Sequence, residues 1–266
     1  MFGKLLKYDF RSMLKQFAFI WPAALVLAVV NRFTVNSFVA SASEMRQTVS
    51  GVAMLVYVAI MIAMFVITLI FTIQRFYKGL LGDEGYLMHT LPVKPWQLIG
   101  SKLLCAVITT LLSIVVAILS ILLIIPVSWG DILEMFKGFG YLFSHWNIEL
   151  THSVIFVLEF LLFICVGMAN SYLHLYLSMA IGHLFNKNRI AMSVVAYIAI
   201  QAAVGVLIGI FGSMSIHHPL NLLDFVESPA ATMHLSFWIA ILVVLAGDAV
   251  YFFCTEYILR RRLNLE

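Results

Sequence analysis

Three ionisable side chains stand inside runs otherwise too apolar to hold them: Glu159, His174 and Asp248. A carboxylate or imidazole in hydrocarbon is costly unless it is paired or neutral, so such residues mark ion relays, substrate paths or tight bonds between helices. Asn170 precedes His174 by one helical turn, next to Ser171, and Gln201 stands mid-way along another apolar run. Amides and hydroxyls of this kind serve most simply as interhelical hydrogen bonds, worth about 0.6–2 kcal/mol each. For Glu159 and Asp248 a polar path through the membrane and a structural bond are both open readings. An intramembrane enzyme would need these groups at one depth, yet His174 lies about 22 Å along the helix axis from Glu159. No phosphate-cradling G-x-x-x-x-G-K-[ST] loop, no G-x-S-x-G elbow and no H-E-x-x-H pair occurs. The expectation is a chain with no catalytic residues, no cofactor and no metal of its own. Adjacent His217 and His218 make a poor metal pair. Cys105, Cys165 and Cys254 are scattered through apolar runs without metal or disulfide spacing, so they read as small packing residues.

The second concentration of chemistry is the longest polar interval, Gln74–Lys102. It carries Arg75, Lys78, Asp83, Glu84, Lys94 and Lys102, with two carboxylates between glycines (Gly82-Asp83-Glu84-Gly85) and two prolines, Pro92 and Pro95, ahead of Trp96. Two membrane spans can be joined by far less chain. A structured insert of this kind suggests a docking surface for a soluble partner.

These residues are positioned by a very apolar chain. Of 266 residues, 63% are hydrophobic and 11% charged, against about 25% charged in a soluble domain. The composition is that of a polytopic, all-α membrane protein forming one transmembrane domain over 1–266. Spans are expected over residues 17–38, 52–73, 103–125, 153–177, 190–211 and 235–257. The second span's apolar run is long enough to cross about 30 Å of hydrocarbon. Pro22 falls early in the first span, where a helix tolerates it, and Asn31 and Arg32 fall late, where Arg can snorkel. Residues 1–16 read as an amphipathic helix: Lys4, Lys7, Arg11 and Lys15 share one face, and Phe2, Leu5, Leu6, Phe10, Met13 and Phe17 the other. Such a helix lies in the membrane interface. The basic start and Ala40-Ser41-Ala42 resemble a leader with a cleavage site. The patterned basic region and the Asn31-Arg32 interruption argue for a retained span instead.

Of the sixteen Lys and Arg, only Arg32, Arg46 and Lys137 fall in the segments on one side of a six-span arrangement. By the positive-inside bias, both termini, residues 74–102 and the short Gly182–Arg189 loop face the cytoplasm of a plasma membrane. A net charge of +3 is too small to suggest a nucleic-acid partner. In the fifth span Ala202, Gly205, Gly209 and Gly212 recur on one face, which would let a neighbouring helix, of this chain or of a second copy, approach closely.

The N-terminal LLKYDFRSMLK, the six spans, the segment RFYKGLLGDEGYLMHTLPVKPWQLIGSKLL and the inner IGHLFNKNR together resemble the permease subunits of type-2 ATP-binding-cassette exporters, in particular small permeases of Gram-positive bacteria. The resemblance covers nearly the whole chain, and residues 74–102 carry most of its specificity. It implies two permease chains, alike or different, pairing with two ATP-binding subunits that hold the ATP and Mg. It implies a coupling helix between spans two and three. That role would fall on Lys78 to Trp96, with Lys78, Gly82, Asp83, Glu84, Gly85, Tyr86, Lys94 and Trp96 meeting the ATP-binding subunit, and Lys187 and Arg189 of the second inner loop as a lesser contact. It also implies an interfacial connecting helix at 1–16 and short re-entrant helices that residues 215–234 could supply. The substrate class, whether peptide, lipid, glycan or drug, is left open. The alternative is a non-transporting membrane anchor or sensor that recruits a soluble protein through the same insert.

Overall fold

The computed structural model describes residues 2–39, 44–82, 93–124, 150–185, 187–217 and 229–261, with 130–131, 133–134, 137–138 and 141 between its third and fourth long helices. Among these residues there is no strand. Six helices are long and apolar enough to cross a membrane. They are α1 (Phe2–Val39), α2 (Glu44–Phe76), α3 (Pro95–Ile124), α4 (Leu150–Gly182), α5 (Arg189–His217) and α6 (Pro229–Arg261). The fold is an all-α, multi-pass membrane architecture.

Each expected span lies within one of these helices to within a residue, and most of the helices run well past it. Hydropathy marks the part of a helix that must avoid water, whereas backbone hydrogen bonding continues until the sequence stops it. Residues 1–16 therefore form no separate element: α1 runs unbroken from Phe2 to Val39. Its basic residues Lys4, Lys7, Arg11 and Lys15 are exposed as expected. Its apolar side, however, packs on protein, with Leu6, Phe10, Met13 and Phe17 gathered around Cys105 and Phe71. Pro22 is consequently deep inside a helix and not in its first turn. It leaves the Ala18 carbonyl without an i+4 amide donor.

The expected insert at 74–102 is also shorter than its polar stretch. Gln74 to Phe76 close α2, and a single π-helical turn, Tyr77–Leu81, follows. Pro95 to Lys102 are the first turns of α3. The start of α3 is legible in its residues. Pro95 occupies the first helical position, where a missing amide costs nothing. The Gln97 side chain accepts from the Lys94 amide at 3.3 Å while the Gln97 amide donates to the Lys94 carbonyl at 2.9 Å, a reciprocal cap. Of the proposed re-entrant stretch, 215–217 end α5 and 229–234 begin α6; the rest lies outside the described residues.

The chain divides into two compact units. The first comprises Met1–Arg75 and Gly100–Gly138, and the second Phe76–Ile99 and Phe139–Glu266. Within the first, one stripe of α1 is buried at helical spacing: Asp9, Met13, Phe17, Ala24, Ala28 and Asn31. α2 runs antiparallel to α1, with Arg75 against Asp9 and Ala53 against Asn31. α3 runs parallel to α1, with Ser101 against Asp9, Ser113 against Trp21 and Leu123 against Arg32. Small and hydroxyl side chains of α3 allow this closeness. The Ser113 hydroxyl accepts from Trp21 Nε1 at 3.1 Å, and Ser120 meets the Tyr57 hydroxyl at 2.7 Å. Asn31 and Arg32, placed by sequence at the membrane boundary, bond to backbone carbonyls of α2 and α3 there.

In the second unit α4 and α6 run parallel. Glu159 meets His234 and Asn170 meets Asp248, pairs 75 and 78 residues apart, and the Leu177–Ala180 segment packs on Ile258 below them. α5 returns antiparallel to α4 after a turn in which Asn188 takes φ 57°, a left-handed conformation that Asn tolerates. Gly182 makes that turn possible. A Cβ there would lie 2.6 Å from the Ser193 backbone nitrogen, so the last turn of α4 and the first of α5 touch through backbone. Gly182→Ala is expected to force them apart at a cost of about 1–3 kcal/mol. It would be read as a lower melting temperature of the detergent-solubilised protein, against Gly51→Ala, where a Cβ meets nothing within 4 Å.

Candidate functional site

Residues 76–82, the described start of the segment expected to dock, pack within the second unit. Phe76, fully buried, stacks on Tyr176 of α4 with ring centroids 3.9 Å apart and planes within 6°. Tyr77 meets His183 edge-on at 5.0 Å. Gly79, Leu80 and Leu81 are buried, and the Gly82 amide closes the turn on the Tyr77 carbonyl at 2.8 Å. This wider turn is a π-bulge, a distortion that clusters at functional positions. Gly82 itself is extended, and any side chain could take its backbone angles. What favours glycine there is space, because a Cβ would sit 3.3 Å from the Lys78 Cα.

The contact between Tyr77 and His183 brings together the two segments that sequence assigned to one docking surface. Lys78 and Lys187 are exposed, Arg189 is half-buried, and Leu184 and Phe185 present apolar surface beside them. Lys94 and Trp96 are exposed at the start of α3. Asp83, Glu84, Gly85 and Tyr86, the heart of the sequence expectation, lie outside the described residues. His183 is buried, and that burial lowers its pKa from the usual imidazole value, with nearby Arg189 acting in the same direction. A bond from its Nδ1–H to the Met179 carbonyl at 3.3 Å works weakly against the shift. His183 therefore faces Tyr77 as a neutral ring at neutral pH.

The intramembrane polar residues do not converge. Glu159 accepts from His234 Nδ1–H at 2.7 Å, and His234 Nε2 faces His152 Nδ1 at 3.2 Å, with the His234 ring stacked on Phe156 at 4.1 Å. Asn170 donates to the Asp248 carboxylate at 2.8 Å. His174 lies flat against Tyr197 at 4.3 Å and against Tyr251 at 5.5 Å. These are three separate ties between α4 and its neighbours rather than one reactive centre. Gln201 is exposed on α5. Among the described residues no three His, Cys, Asp or Glu side chains are placed to hold a metal ion. All three cysteines are free, with Cys105 buried.

The small-residue face of α5 has no counterpart among the described residues of the second unit. Ala202, Gly205 and Gly209 are exposed, and a Cβ at Gly205 or Gly209 would meet nothing within 4 Å. Gly212 belongs to the same helix.

One constellation escaped the sequence reading. Asp9, fully buried in α1, accepts from Arg75 at 2.6 Å and from the Ser101 hydroxyl at 3.1 Å, with Lys102 Nζ 3.9 Å away. Arg75 also donates to the Ser12 hydroxyl at 3.1 Å and lies over the Tyr8 ring. The signal was present: Asp9 is the one acid in a basic amphipathic helix, and it falls on the apolar face one turn before Met13. Partners such as His152 and His234 gave no comparable signal, because each lies at the edge of an apolar run where a polar residue is ordinary.

No family model matches the sequence, and no curated protein or solved structure matches it either.

Proposed function

We propose that this chain is the permease subunit of an ATP-binding-cassette exporter in a bacterial plasma membrane, with both termini in the cytoplasm. The observation that carries the reading is the anchored turn at Tyr77–Leu81. It sits on the end of α4 beside the α4–α5 turn, so that side chains of two loops form one basic and apolar surface. Such a surface suits a soluble partner. The absence of any phosphate-binding motif in the sequence leaves ATP and Mg to that partner. Closure of the ATP-binding subunits would push on residues 76–99 and shift the helices between two arrangements, giving alternating access. A second permease chain would meet the bare Gly205–Gly209 face of α5, since small residues allow close helix approach in lipid.

The wild-type chain, co-expressed with a candidate ATP-binding-cassette subunit from the same organism, is expected to retain that subunit through detergent purification. Its vesicles should show efflux that depends on ATP. In intact cells a single cysteine at Lys78 or Lys187 should be shielded from an impermeant thiol reagent, and one at Glu134 should react. Labelling at Lys78 from outside would reverse the orientation and remove the docking role. Retention of the partner with no ATP-driven movement of any substrate would favour an anchor or sensor instead.

A further inference from the structure

We infer that Asp9 is a positioning residue that clamps the residues flanking 76–99, Arg75 on one side and Ser101 and Lys102 on the other, to the N-terminal helix. The chain leaves the first unit between Arg75 and Phe76 and re-enters it between Ile99 and Gly100. The last residue before the exit, Arg75, and the first two side chains after re-entry, Ser101 and Lys102, all address the carboxylate of Asp9. Arg75 and Lys102 share Oδ1, and Ser101 donates to Oδ2. One buried acid thus holds Arg75 and the Ser101-Lys102 pair, the residues that flank 76–99, beside each other and beside α1 within the first unit. Without the carboxylate, two cations drawn to one oxygen are left without their shared counter-ion, and their mutual repulsion pushes the two flanks apart. Lys102 and Asp9 are almost fully buried, so little water is available to screen that repulsion. The clamp is a property of this chain alone. Its part in transport rests on the exporter reading.

The test is hydrogen exchange on the purified chain, comparing wild type, Asp9→Asn and Asp9→Glu. Asn fills the space of Asp, so a side chain that only packs would be replaced without loss. Asp9→Asn should speed exchange of amides in 76–82 and 93–99 by at least about tenfold while leaving 194–210 of α5 unchanged. Asp9→Glu should restore part of the protection. Should Asp9→Asn fail to fold, Asp9→Asn combined with Lys102→Met removes the repulsion. It should fold and still show the faster exchange at 76–82. Unchanged exchange in Asp9→Asn, or equal acceleration through both units, overturns the proposal. In the assembled complex, Asp9→Asn should keep the ATP-binding subunit bound and lower transport per ATP hydrolysed. The selective exchange response in a chain whose wild type binds no ATP-binding subunit would sink the exporter reading and leave the clamp standing.

Discussion

His234→Phe is expected to cost the folded protein about 1–3 kcal/mol, the cost of leaving a buried acceptor without its donor. Phe keeps the ring that stacks on Phe156 but removes the Nδ1–H that Glu159 accepts at 2.7 Å. Glu159 is only 5% exposed, so no water can readily replace the donor. Two further outcomes separate this account from loss of packing. Glu159→Leu combined with His234→Phe removes both polar partners and should recover most of the stability, because an apolar pair needs no hydrogen bond. His152→Phe breaks only the outer link at 3.2 Å and should cost about 1 kcal/mol. Melting temperatures or inactivation half-lives in detergent would read all three. A His234→Phe variant as stable as the wild type would show that the ring, and not the hydrogen bond, holds α4 to α6.

Charge and hydropathy made the number of helices legible, and their cores as well, because a membrane span is an uninterrupted apolar run. The ends were less legible. Hydropathy says nothing about Gln97 capping Lys94 or about a π turn at Tyr77, since both are set by backbone hydrogen bonds in polar sequence. The amphipathic pattern of α1 was read correctly as a pattern. The sequence could not say whether its apolar side meets lipid or protein, since Phe10 and Met13 suit either. Asp9 decided the matter. A carboxylate on that side is tolerable only against donors, and Arg75, Ser101 and Lys102 supply them.

The polar residues of α4 show the limit from the other side. Glu159, Asn170 and His174 were found because each is rare in its setting. Their partners could not be assigned, because pairing depends on the register between α4 and α6. In the structure that register sends Glu159 to His234, Asn170 to Asp248 and His174 to Tyr251. A reactive site would bring two or more of these groups to one point. Each instead meets its own neighbours: Glu159 and Asn170 are hydrogen-bonded across to α6, while His174 stacks on Tyr197 and Tyr251 with its Nε2 buried and unbonded. The anchored turn was also partly hidden. Phe76 and Tyr77 look like ordinary span-end aromatics until Tyr176 and His183 appear opposite them.

On the exporter reading, the largest functional effect is expected at Asp83 and Glu84. Asp83 and Glu84 follow directly on Gly82, whose amide closes the anchored turn, so the turn fixes the point from which the chain continues into the acidic pair. Lys78, Lys94 and Lys187 are exposed around the described part of this surface, and the two carboxylates are the only acids within residues 74–102. A partner that meets the segment must therefore match both signs. Reversing the acids with Asp83→Lys and Glu84→Lys replaces attraction by repulsion at an interface where a desolvated charge pair is worth about 2–5 kcal/mol. Breaking one such pair corresponds to a roughly 30-fold or greater fall in affinity for the ATP-binding subunit. Membrane insertion should be untouched, because the added lysines fall in a segment already rich in them. Helix packing should be untouched as well, because Phe76, Leu80 and Leu81 stay buried as before. The double variant is thus expected to reach the membrane at wild-type levels, to lose the co-purifying subunit, and to show no ATP-dependent efflux. Exchanging the basic residues that face it on the partner for acidic ones should restore binding. A double variant that binds its partner and drives efflux as the wild type does would mean that the acidic pair is a solvated turn and that docking rests on Lys78, Phe185 and Lys187 instead.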